Sequence, residues 1–182
     1  MQTPLKVINL SKIYNIKEAV KDISFQVNKN EILGILGPNG CGKTTTIGMI
    51  LGLLKPSNGQ ILINGIEIEK KRVDLLSQLN FISPYIELPK KLTVRQNLEV
   101  YGRLYDVKNL KEKINSLAEK LRLKDILNKI TGELSSGQKN RVSLAKALIN
   151  EPSVLFLDEP TASLDPETGD FVRSFIEKIS KE

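Results

Sequence analysis

Gly37-Pro38-Asn39-Gly40-Cys41-Gly42-Lys43-Thr44 follows the pattern G-x-x-x-x-G-K-[ST] at every fixed position. Glycines at these places let successive backbone N–H groups turn inward around an anion, where a Cβ would obstruct. A helix opening near Lys43 points its positive end at the same spot. Lys43 can neutralise outer phosphate oxygens and Thr44 can offer its hydroxyl to Mg²⁺, with Thr45 beside them. The chemistry is the holding of a nucleoside triphosphate. A chance glycine-rich turn is disfavoured because an apolar run enters the loop and an apolar helical pattern leaves it.

A second cluster lies far along the chain. Val154-Leu155-Phe156-Leu157-Asp158-Glu159 is an apolar run that ends in two carboxylates. A buried strand delivers its last residues to the rim where α/β sheets bind ligands. Asp158 can support Mg²⁺ through water, and Glu159 can polarise an attacking water as general base. In isolation the segment reads as a strand and a polar turn; beside a phosphate loop it reads as the second half of a hydrolytic site.

The elements that position these groups read as α/β. Short apolar runs at residues 5–10, 23–27, 32–36 and 60–63 read as strands, the last leading into an Asn64-Gly65 turn. A helix is expected from Lys43 to Leu54, stopped by Lys55-Pro56, and a short strand at residues 80–83. From Thr93 to about Ile149 the spacing is helical. Leu98, Tyr101, Leu104 and Tyr105 share one face, and Ile114, Leu117 and Leu121 another. Thr93 with Gln96 forms a capping-box pattern. A strand at residues 154–157 and a helix opening at Pro166 complete an alternation that calls for a mostly parallel sheet.

Composition sets the bounds. The chain has 182 residues, 40% of them hydrophobic and 26% charged, as in an ordinary globular domain. No apolar run approaches the roughly 20 residues of a spanning helix, and residues 1–10 lack a secretion-signal pattern, so membrane contact is expected through a partner. One cysteine, Cys41, and no histidine exclude an internal disulfide and a Cys/His zinc cluster, which suits a reducing cytoplasm. The net charge of +6 arises from 27 basic residues dispersed among 21 acids. That dispersal favours a solvated surface over a nucleic-acid groove; no nucleic acid is expected as a partner.

Together with Leu134-Ser135-Ser136-Gly137-Gln138, one substitution from L-S-G-G-Q, the two motifs resemble the ATP-binding cassette (ABC) family over nearly the whole chain. The resemblance implies a P-loop NTPase fold with a RecA-like, mostly parallel core sheet, an N-terminal antiparallel β subdomain and an inserted α-helical subdomain. It divides the chain into residues 1–83, 84–150 and 151–182. It implies ATP with Mg²⁺, and an ATPase coupled to transport through a separate integral membrane permease, at the cytoplasmic face of the membrane. Ser135, Gly137 and Gln138 then act on the γ-phosphate held by a second cassette, a copy or a paralogue, and Ser163-Leu164-Asp165 is similar to the D-loop. Tyr14 sits where the family stacks an aromatic ring on adenine, though it also fits a strand-end core tyrosine. Residues 92–98 and 101–105 resemble the multidrug or polysaccharide exporter branch.

The sequence departs from the family in two places. Pro84 stands where the family has a glutamine that reaches Mg²⁺ or water, and Gln78 lies too early to replace it, leaving Ser83 or Tyr85 to couple. The family's later histidine strand has no counterpart after Asp165, so a truncated chain with weak or no hydrolysis is expected. The alternatives are a soluble ABC-type ATPase of translation or DNA repair, and a catalytically weak nucleotide-binding fragment.

Overall fold

The computed structural model describes residues 3–83, 87–162 and 164–181. It contains two compact units, Met1–Leu79 with Glu177–Glu182, and Asn80–Ile176.

In the first unit β1 (Leu5–Tyr14) and β2 (Lys17–Val27) form an antiparallel hairpin. Both are longer than the apolar runs within them. Leu5 and Val7 are buried, and the next buried hydrophobic residue is Leu10, out of phase with simple alternation. A bulge corrects the phase: Asn9 and Asp22 take φ of 47° and 44°, and Asn9 Nδ2 donates to Asp22 Oδ1 at 2.8 Å. β2 is an edge strand carrying Lys17, Glu18 and Lys21, so its first half shows no apolar pattern. Helix α1 (Lys43–Ile50), strands β3 (Asn58–Ile63) and β4 (Ile66–Glu67), and helix α2 (Arg72–Leu76) come next. The sheet order is β2-β1-β3-β4, and Asn64 and Gly65, with φ of 49° and 78°, make the expected turn. Leu5, Leu10, Ile61, Ile63, Met49, Ile50 and Leu75 are almost fully buried. Each stabilises the unit by about 1.5–3 kcal/mol.

Two expectations fail in this unit. Helix α1 stops at Ile50, well before Pro56, because Gly52 (φ 68°) closes it: the Gly52 N–H donates to Met49 O at 3.0 Å and the Leu53 N–H to Gly48 O at 2.8 Å. The strand expected at residues 32–36 does not form. Residues 31–38 carry no helix or strand, and Ile32 and Leu36 are 58% and 93% exposed. An apolar strand needs neighbours to satisfy its ladder, and among the described residues none pairs with it.

The second unit holds a two-stranded parallel sheet of β5 (Leu79–Ile82) and, later, β6 (Val154–Leu157). Between them run α3 (Val94–Leu104), α4 (Leu110–Lys120) and α5 (Ser136–Ala147), and α6 (Pro166–Ile179) comes after β6. Thr93 caps α3 through the full box: its Oγ1 accepts from Gln96 N at 3.2 Å and its N–H donates to Gln96 Oε1 at 2.9 Å. Buried Asn97 ties this turn down, donating to Pro89 O at 3.1 Å and Thr131 Oγ1 at 2.8 Å. The buried face of α3 is Val94, Asn97, Leu98 and Gly102. Leu104, expected on the Leu98 face, is 74% exposed. It lies on the opposite side of the helix from Gly102, which receives Leu110 at the start of α4. Ile114, Leu117 and Leu121 are buried together as expected. The end of α4 turns at Arg122 (φ 53°), where the Arg141 guanidinium of α5 donates to Arg122 O at 3.1 Å.

Candidate functional site

Residues 37–44 belong to the first unit. Gly42 is required by space as well as by φ (96°), since a Cβ there would lie 2.5 Å from Ala19 O; Gly40 is set by φ (80°) alone, and a Cβ on Gly37 would lie 2.6 Å from the Cys41 Sγ and displace that side chain. Gly42 is the N-cap of α1, and no side chain caps this end. The Thr46 N–H returns to Gly42 O at 2.8 Å, while the amides of Lys43, Thr44 and Thr45 belong to a first turn with no helical carbonyl behind them. Nor does an acidic residue occupy that turn. Lys43 folds back over the loop, its ammonium donating to Gly37 O at 2.6 Å and Pro38 O at 3.0 Å. Thr44 is exposed, and the exposed Cys41 thiol lies 3.8 Å from Lys43 Nζ. A glycine cradle, an uncapped helix start and a lysine over the same loop make a fitting seat for a polyphosphate.

Tyr14 ends β1 and is 45% exposed, with Lys12 Nζ 5.2 Å from its ring centre. It is therefore a surface ring and not a core tyrosine. Gln78 is already used: its Oε1 accepts from Asn64 Nδ2 at 2.6 Å, and its Nε2 donates to Asp74 O at 3.2 Å. Pro84, Tyr85 and Ser163 lie outside the described residues.

The second unit holds the acidic pair. β6 spans the residues read from sequence, and its end is fixed by Asp158 N–H donating to Ile82 O at 2.9 Å. Half-buried Asp158 accepts from Ser83 Oγ at 3.2 Å through Oδ2. Among the described residues no cluster of three or more His, Cys, Asp or Glu exists. A single carboxylate is what Mg²⁺ takes from a protein when substrate phosphates and waters complete its shell. Glu159 is exposed and left-handed (φ 47°), a conformation that costs a non-glycine residue on the order of 1 kcal/mol and that concentrates at functional sites.

The Ser135 helix is more tightly specified than its sequence showed. Ser135 Oγ accepts from Gln138 N at 3.2 Å and the Ser135 N–H donates to Gln138 Oε1 at 3.0 Å, a complete capping box. The signal was the same S/T-x-x-Q spacing that marks Thr93. Gly137 packs closely on α6: a Cβ there would sit 3.0 Å from Thr168 Cγ2, so the Thr168 side chain would have to shift by a few tenths of an ångström. Asn140 Nδ2 of the same helix holds Pro160 O at 2.8 Å, fixing the loop after Glu159. Asp165 accepts the Thr168 N–H at 2.9 Å at the start of α6; hydrogen bonds from the Thr168 hydroxyl and amide hold its carboxyl below the usual aspartate range.

Comparison with known proteins shows the family of the chain. A family model described as ABC transporter matches residues 20–162. The ABC transporter ATP-binding protein NatA of Bacillus subtilis (strain 168) is 34% identical over 170 residues, covering 92% of this chain and 69% of that protein. The Nod factor export ATP-binding protein I of Rhizobium johnstonii is 42% identical over 165 residues, covering 89% of this chain but 53% of its own length. Among solved structures, the dimeric ATP-binding cassette MJ0796 bound to ADP and Pi, in a post-hydrolysis state, superposes with a TM-score of 0.82 at 26% identity, covering 97% of this chain and 83% of that one.

Proposed function

Because this chain belongs to the ABC transporter family, we propose that it binds and hydrolyses ATP as one of a pair of cassettes that drive a separate membrane permease. The observation that carries this reading is the seat built by residues 37–44, with α1 uncapped and Lys43 held over the loop. Lys43 moves from its carbonyl partners to phosphate oxygens, the Thr44 and Thr45 amides point at the same anion, and Tyr14 stacks on the base. Gly37, Pro38, Asn39, Gly40, Cys41 and Gly42 form the wall of that seat. Mg²⁺, when bound, offsets phosphate charge and orients the attacked group; Thr44 and Asp158 would hold it. Glu159 takes the proton of the attacking water, on a backbone fixed by Asn140.

Ser135, Gly137 and Gln138 open a helix whose positive end serves a phosphate bound by the second cassette. The dimeric cassette among the similar structures supports that pairing. Residues 1–83 form the β subdomain with the first part of the ATP-binding core, residues 84–150 the helical insert, and residues 151–182 the acidic strand, the D-loop and α6. Among the described residues no helix is long and apolar enough to cross a membrane, which fits a chain seated on the cytoplasmic face through its permease. The export role in the name of the Nod factor relative supports the exporter branch.

The test is Glu159→Gln with Mg-ATP. Removing the base while keeping the seat should trap an ATP-bound dimer, seen as a shift to twice the mass in size-exclusion chromatography with light scattering. A variant that binds ATP yet stays monomeric would reject the paired hydrolytic role.

A further inference from the structure

Helix α5 turns one face to the segment that follows β6 and holds it at two places. Gly137 packs on Thr168, and Asn140, three residues on and so on the same face, donates through Nδ2 to Pro160 O at 2.8 Å. Glu159 directly precedes the second of these points. Its φ of 47° is one that a non-glycine residue keeps only where its surroundings over-determine it. Before it, the Asp158 N–H is fixed to Ile82 O at 2.9 Å; after it, the Ala162 N–H returns to Glu159 O at 3.0 Å. Asn140 anchors this turn from outside, and among the described residues no other side chain bonds to the backbone of residues 159–162.

For stability alone Asn140 is a poor choice. Asparagine disfavours a helix interior, because its side chain competes with the backbone for hydrogen bonds. Its Oδ1 is buried with no partner, and Pro160 has no N–H that could answer it. An aliphatic side chain of similar size would suit the helix better and bury no polar atom, while half-buried Pro160 can offer its carbonyl to water. What the aliphatic residue lacks is the donor that sets Pro160.

We propose that Asn140 is a positioning residue for Glu159: its amide holds the peptide beside the base, at the expense of stability, so that the carboxylate meets the attacking water. The proposal rests on Glu159 acting as the base, and deepens that reading by assigning the aim of the carboxylate to helix α5. It requires two effects of opposite sign. Loss of the Asn140 amide leaves the fold as stable or more so and still lowers turnover, whereas loss of a merely structural hydrogen bond lowers both.

The experiment compares wild type, Asn140→Leu, Glu159→Gln and the double variant, each as the full chain. Asn140→Leu should melt at or above the wild-type temperature. Without nucleotide, its Ala162 amide should exchange with deuterium at least about tenfold faster, while amides of α4 exchange as before. At saturating Mg-ATP its kcat should fall about ten- to a hundredfold with KM unchanged, as a misaimed base requires. In the Glu159→Gln background the same substitution should lower the residual single-turnover rate no further, because the group it aims is gone. Asn140→Ala serves for the exchange and turnover measurements if the leucine variant does not fold. Wild-type turnover in Asn140→Leu, unchanged exchange at Ala162, or an equal fall in both backgrounds would overturn the positioning role while leaving Glu159 as the base. Full turnover by Glu159→Gln, or none by the wild type, would overturn the hydrolytic reading and the proposal with it.

Discussion

Gln138 separates what the Ser135 helix needs in order to fold from what it does. Its Oε1 accepts the Ser135 N–H at 3.0 Å, and its own N–H is held by Ser135 Oγ at 3.2 Å. Gln138→Leu removes the first bond and leaves the second. Ser135 is exposed, so water can take the freed amide, and the loss should fall at the low end of a capping effect, about 0.5–1 kcal/mol. In a chain of this length that is a fall of about 1–4 °C in thermal midpoint. Gln138→Glu keeps the acceptor and adds a negative charge beside the helix N-terminus, worth about 0.3–1 kcal/mol in its favour. Stability, by urea unfolding, should therefore rank Glu at or above Gln, with Leu below. If this helix end serves a phosphate on a second cassette, the added charge acts the other way there. ATP-dependent association, by light scattering, should rank Gln first, Leu next and Glu last. A Glu variant as unstable as Leu would refute the capping geometry. Association that simply tracked stability would refute the phosphate role.

Cys41 is exposed and its thiol lies 3.8 Å from Lys43 Nζ, so complete alkylation should block the seat; ATP affinity measured on fully labelled protein should drop at least about tenfold. Lys146 is held below the usual lysine range by burial, its ammonium over the Tyr101 ring at 5.1 Å and 3.3 Å from Asn80 Oδ1. The folded chain thus releases that proton before the unfolded chain does, and stability rises with pH between the two values. Melts across the alkaline range should show this rise in the wild type and its loss in Lys146→Met.

What was legible in the sequence is what local chemistry enforces. Strand β6 kept its residues because four apolar side chains ending at two carboxylates allow one register. The Thr93 box, the Asn64-Gly65 turn and the Pro166 helix start likewise rest on neighbours within a few residues. The hairpin was cut short because the Asn9–Asp22 bulge breaks alternation and the edge strand β2 is charged. The end of α1 was misplaced because Gly52 acts as a stop through φ, one turn ahead of the more conspicuous proline. Residues 32–36 read as a strand from their own pattern, but a strand is a property of neighbours, and no residue type reports whether they are present. At the site, the residue types of the loop and acidic pair were plain; the holding of Pro160 by Asn140 and the fit of Gly137 against Thr168 were not, because they join segments distant in the chain.

The most direct test of nucleotide binding is equilibrium titration of the 182-residue chain with a fluorescent ATP analogue and Mg²⁺, beside Lys43→Ala. Lys43 holds two loop carbonyls and is the cation nearest the seat, so its loss should weaken binding by at least about tenfold while the fold stays intact by circular dichroism. Saturable wild-type binding with that drop is the expected result. Equal affinity in the two proteins, or no saturable binding by the wild type, would contradict the assignment of residues 37–44 as the phosphate seat.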